Sequence, residues 1–135
     1  MDDLIAWLRQ QLDDDERAAR AVPVNEHCVP PAHWSVSTYD PDKGRVVMGT
    51  ADDFALPTPE HAQYVARFDP AAVLADIAAK RAVLLVCSAS LVSTVPTSSF
   101  VRGQDDGYRE AMTEAVRYLA SAYRHRPGWK NEWEA

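Results

Sequence analysis

Apolar positions recur at helical spacing near the start of the chain. Ile5, Leu8, Leu12, Ala19 and Val22 form one stripe, and Leu4 and Trp7 widen it, which predicts a helix from about Asp3 to Ala21. Asp2 or Asp3 is suited to cap it and to favour its positive end. Asp13, Asp14, Asp15 and Glu16 form the one marked acidic cluster, with Arg17 and Arg20 at i+4 from Asp13 and Glu16. Consecutive helical residues point in different directions, so these carboxylates read as a solvated, locally paired face rather than a cation site.

The period then changes. From Pro23 to Pro31 the chain reads as irregular, and His33 to Tyr39 alternates large and small residues as a half-buried strand does. Asp40-Pro41-Asp42-Lys43-Gly44 reads as a turn and Arg45 to Gly49 as a second strand, together a two-stranded hairpin that must pack on helices. Asp52 to Pro59 is rich in turn residues and reads as a loop.

Helical spacing returns at Thr58, an N-cap before Pro59 at the first helical position, with Tyr64, Val65 and Phe68 as the apolar face of a short helix. Asp69-Pro70 repeats that start signal for a long helix reaching about Val92. Val73, Leu74, Ile77, Leu84 and Leu91 form its stripe, with Asp76, Lys80 and Arg81 outward. Its second half, Ala82 to Cys87, is apolar on every side, as in a helix central to a core or covered by another chain. The β-branched content of Val83 to Val95 keeps a strand open as the competing reading. Ser93 to Asp106 reads as a polar linker. A last helix is predicted from about Asp106 to Arg124, with Tyr108, Met112, Ala115, Val116, Leu119 and Tyr123 inward. Pro127-Gly128 ends it, and Trp129 and Trp133, four apart, predict a closing turn folded back on the helices. The expected fold is mainly α (α+β): a single domain over 1–135 with three principal helices, one short helix and a two-stranded β-hairpin.

Composition narrows the function classes. With 135 residues, 47% hydrophobic and 25% charged, the chain can bury an ordinary core without staples. A net charge of −6 argues against a general nucleic-acid or anionic-membrane binder, which needs clustered Lys and Arg. The longest apolar run falls far short of a bilayer span. The acidic opening Met1-Asp2-Asp3 is unlike the basic start of a secretory signal, so a cytoplasmic setting with reduced Cys28 and Cys87 is expected.

Candidate chemistry is sparse. No phosphate-binding glycine loop, nucleophile elbow or paired-histidine metal motif is present. His27-Cys28 with His33, and Cys87 from elsewhere, is the nearest approach to a metal cluster. An adjacent pair cannot readily chelate one ion, and no metal, cofactor or catalytic residue is expected. His61, behind Glu60, is the histidine best placed for a role, and a general base there needs an orienting carboxylate. His125 between Arg124 and Arg126 makes a small basic spot. Tyr64, Trp129 and Trp133 could stack on a ligand, and Leu84, Leu85 and Leu91 are the candidate interface residues.

Three segments carry a resemblance. They are the acidic opening helix (Asp2-Asp3-Leu4-Ile5-Ala6-Trp7-Leu8 through Asp13 to Ala21), the stretch from His61-Ala62 through Val65-Ala66-Arg67-Phe68-Asp69-Pro70 to Ala79-Lys80-Arg81, and the tail from Leu119 through Arg124-His125-Arg126-Pro127-Gly128-Trp129 to Trp133. With these the chain resembles a family of small actinobacterial and actinophage proteins described as a domain of unknown function. The resemblance implies an intracellular setting and a possible mobile-element context, and no activity. Where that family often has proline-glycine-proline-tryptophan after the first helix, this chain has Pro23-Val24-Asn25 and reaches Trp34 later. The function expected from the residues is a non-enzymatic, acidic protein-interaction domain that self-associates or docks on a protein partner. The alternative is a small hydrolytic or ligand-binding enzyme using His61 with a carboxylate from Asp52-Asp53. A third reading is an acidic decoy for a nucleic-acid-binding partner.

Overall fold

Asp69 shows how local chemistry sets the elements. Its carboxylate accepts the Ala72 amide at 2.6 Å and its carbonyl accepts the Val73 amide at 3.0 Å, so it caps helix α3 (Pro70–Leu91), with Pro70 at the first helical position. The computed structural model describes residues 1–22, 33–37, 44–48, 52–91 and 99–135, with the side chains of 52, 53, 90 and 99–102 left out. The irregular Pro23–Pro31 stretch, the Asp40–Lys43 turn and the Ser93–Ser98 part of the expected linker lie outside the described residues, as do His27 and Cys28.

The element order is α1 (Asp2–Ala21), β1 (Trp34–Val36), β2 (Gly44–Met48), β3 (Asp52–Leu56), α2 (Pro59–Ala66), α3, α4 (Ser99–Ser121) and a 3₁₀ turn (Asn131–Trp133). The chain divides into two compact units. One is Asp14–Ile77; the other combines Met1–Asp13 with Ala78–Ala135. The boundary falls inside α1 and inside α3.

In the Asp14–Ile77 unit the strands form an antiparallel sheet in the order β1-β2-β3. The expected two-stranded hairpin is therefore corrected to three strands. Part of the expected Asp52–Pro59 loop is β3, paired with β2 in the register Val46↔Phe54. Its aspartates and the following Pro57 read as turn formers, but pairing along β2 outweighs that local preference. Val46 on the central strand is fully buried, and α2 packs on the sheet through Ala62, also fully buried. The expected apolar face of α2 is corrected as well. Tyr64 and Phe68 are exposed and lean on each other at 5.0 Å, because the smaller Ala62 lets the helix come down onto the strands. Thr58 caps α2 as its sequence implies, in extended backbone, with its hydroxyl accepting the His61 amide.

Asp69 also ties this unit together. Its second carboxylate oxygen accepts the Trp34 backbone amide at 3.2 Å and lies 3.3 Å from His33 Nδ1, so one buried side chain holds the start of α3 and the start of β1. Asp69→Ala removes the cap and takes the acceptor from the part-buried Trp34 amide, an expected loss of about 1–2 kcal/mol. Asp69→Asn keeps one acceptor and should lose less, which urea melts of the two variants compare directly.

In the other unit the interior is made by Leu4, Ile5, Leu8 and Leu12 of α1, Leu84 and Cys87 of α3, and Val116 and Ala120 of α4, with Tyr123 and Trp133 beyond it. The first helical bond of α1 runs to the Met1 carbonyl at 3.0 Å, so Asp2 and Asp3 lie in the first turn, where they favour the helix dipole rather than cap it. Val83 to Leu91 is helical, which ends the strand reading for the described part of that segment. Helix α4 begins at Ser99 instead of Asp106, and Tyr108, expected inward, is 51% exposed. Residues 103–111 of α4 are mostly exposed, and burial begins farther along, at Val116. Trp7 of α1 meets the tail. Its ring lies 5.6 Å from Trp129 and 5.4 Å from Trp133, and its indole N–H donates to the Pro127 carbonyl at 3.1 Å. Gly128 takes φ +86, the left-handed conformation that glycine accepts, and so turns the chain under Trp7.

Candidate functional site

Helix α3 between Ala78 and Ala89 is apolar on both its inner and outer sides. Leu84 and Cys87 point into the core, each 2% exposed. On the outer side Leu85 is 68% exposed, Val86 57% and Val83 44%, and Ala78, Ala82 and Ala89 are exposed beside them. A helix stabilised only by its own core would carry polar residues there. Its largest exposed apolar side chain, Leu85, forms one lip of a groove of about 350 Å³, whose other walls are Leu84, Arg9, Asp13 and Arg81. Arg81 is ion-paired with Asp13, one helical turn beyond Arg9 on α1. Arg9 donates to the Ser88 hydroxyl at 3.4 Å, and that hydroxyl donates to the Leu84 carbonyl at 2.6 Å. The site is thus an apolar ridge and groove with a charged rim, suited to receive apolar side chains with a polar border.

The remaining sequence-predicted residues are distributed over the fold. Leu84 faces the interior and Leu91 is half-buried, so the outer face is offered by Leu85 with Val83 and Val86. His61 lies exposed at the start of α2, its Nδ1 2.9 Å from the Thr58 hydroxyl. Glu60 beside it is held below the usual carboxylate range, first by the Thr58 hydroxyl, then by its own backbone amide and the His61 charge. Asp52 and Asp53, named as possible partners of His61, lie on β3, and their side chains are outside the described ones. His125 is exposed beside Arg126, whose guanidinium lies 4.8 Å from the Tyr123 ring centre. Trp129 and Trp133 are 5.8 Å apart and engaged with Trp7. Lys80, expected outward, donates to the Tyr123 hydroxyl at 3.3 Å.

Arg9 and Asp13 were not foreseen at the site. They lie about seventy residues from Leu85 and meet it only through the packing of α1 on α3. The exposed spacing Ala78, Ala82, Leu85, Ala89, in steps of four, three and four, is visible in the sequence and marks the ridge.

Among the described residues no group of three or more His, Cys, Asp or Glu side chains is placed to hold a metal ion, and no helix is long and apolar enough to cross a membrane. Burial pushes the Cys87 thiol up, away from the thiolate that nucleophilic chemistry requires. In the Asp14–Ile77 unit a shallow cavity of about 380 Å³ has mostly apolar walls, among them Ala19, Val22, Trp34, Phe68 and Val73. The Trp34 indole N–H is buried with no acceptor among the described residues.

The family model described as a family of unknown function (DUF6221) matches residues 1–135. No curated protein and no solved structure matches the chain.

Proposed function

The chain belongs to DUF6221, a family of unknown function, and from that premise we propose that it is a non-enzymatic protein-interaction domain that binds through the outer face of α3. The observation that carries this reading is the exposure of Leu85, Val86 and Val83 along one helix, beside a groove with a charged rim. Contiguous exposed apolar surface of this kind marks association sites in soluble proteins. The acidic balance of the chain fits a protein partner better than a polyanion. On the resemblance noted in its sequence, we place the protein in the cytoplasm of actinobacteria or among their phages. The hydrolase alternative requires a carboxylate on the His61 ring, and among the described side chains the hydrogen-bonding contact there is the Thr58 hydroxyl.

Leu85→Lys tests the reading. Leu85 is exposed, so the substitution should leave stability within about 0.5 kcal/mol while abolishing association. Light scattering on a sizing column, over a concentration series, reads self-association. Affinity purification from the native host, with wild-type and variant baits in parallel, reads other partners. A strictly monomeric wild type with no Leu85-dependent partner would overturn the proposal.

A further inference from the structure

We infer that the occupant of the α3 outer face is a second copy of this chain, held across a two-fold axis with Leu85 at its centre. This rests on the reading of that face as a binding surface and adds the identity of the partner. The first ground is shape. Ala78, Ala82, Leu85 and Ala89 are all exposed, at spacings of four, three and four, the repeat with which one helix presents a continuous seam to another. Along this seam the largest side chain, Leu85, stands between alanines, with Val86 and Val83 at its borders, and Leu85 of each copy can enter the space left above the partner's alanines.

The second ground is charge. Arg9 and Asp13 stand one turn apart on α1, on the same rim of the groove, with opposite signs. A two-fold operation brings a surface against itself with residues exchanged, so Arg9 of each copy can face Asp13 of the other. Asp13 is 61% exposed at its side chain, which leaves its carboxylate free to accept from a second guanidinium while it pairs with Arg81.

The test is sedimentation of purified Arg9→Asp and Asp13→Arg chains, alone and mixed in equal amounts, beside the wild type. Each variant alone sets like charges against each other across the axis and should weaken the dimer about tenfold or more, less so at high salt. The mixture restores opposite charges at both contacts and should recover the wild-type dimer as a mixed species. An unchanged circular dichroism spectrum shows that each variant is folded. A wild-type dimer that the single variants leave intact, or that the mixture fails to restore, overturns the pairing. A wild type that stays monomeric at its highest soluble concentration, yet captures another protein in a Leu85-dependent way, overturns the second copy and leaves the interaction reading standing.

Discussion

Gly44→Ala is expected to lower stability by about 3 kcal/mol or more, and to do so through backbone rather than side chains. A Cβ at position 44 would run into the Thr58 carbonyl oxygen and carbon, both main-chain atoms that no rotamer can move aside. Overpacking inside a well-packed region typically costs about 1–3 kcal/mol, and a main-chain obstruction belongs at or above the top of that range. The position also joins two elements. Gly44 opens β2 opposite Leu56, and Thr58 is the cap of α2, so the alanine variant must shift either the strand end or the helix start. With a total stability of about 5–15 kcal/mol for a small protein, the loss should be plain in a urea melt. An unchanged midpoint would mean that the strand and the helix cap do not approach so closely.

Trp7→Ala should cost about 3–5 kcal/mol in the unit formed by Met1–Asp13 and Ala78–Ala135. The substitution removes two ring contacts, the hydrogen bond to Pro127, and the indole edge that would lie 2.9 Å from a Cβ on Gly128. Of the three ring–ring contacts in the cluster, only that between Trp129 and Trp133 would remain. Trp7→Phe retains part of the ring packing but no donor, and its cost should be roughly half as large. Near-ultraviolet circular dichroism reads the tryptophan cluster directly, and denaturant melts read the stability. Native-like spectra and melting for Trp7→Ala would show that the tail is held by something other than this ring.

The parts of the fold legible in the sequence are those set by short-range chemistry. Thr58-Pro59 and Asp69-Pro70 each combine a capping side chain with a proline at the first helical position, and α2 and α3 start where those residues stand. The α1 stripe was readable for the same reason, since its buried residues Leu4, Ile5, Leu8 and Leu12 recur at helical spacing. Strand β3 was not readable, because its alternation is carried only by Phe54 and Leu56 around Ala55, behind two aspartates. The early start of α4 was hidden by Gly103 and Gly107, poor helix formers tolerated where a Cβ would meet nothing within 4 Å. Tyr108 shows a different limit. Periodicity assigns a residue to a face but does not say how far along the helix the covering elements extend. The site was half legible: an all-apolar second half of α3 pointed to the ridge, whereas the meeting of Arg9 and Asp13 with Leu85 depends on tertiary packing.

The tail contacts of α1 span most of the chain, with Trp7 meeting Pro127 and Lys130 reaching Asp3 at 3.2 Å. During synthesis at about 5–20 residues per second, residues 14–77 leave the ribosome as one uninterrupted stretch and can close on themselves first. The first turns of α1 wait longer, since Leu4, Leu8 and Leu12 share their core with Leu84, Cys87, Val116 and Ala120, and Trp7 closes on the tail. Until α3, α4 and the tail are made, that helix is the segment of the nascent protein most open to chaperones and proteases.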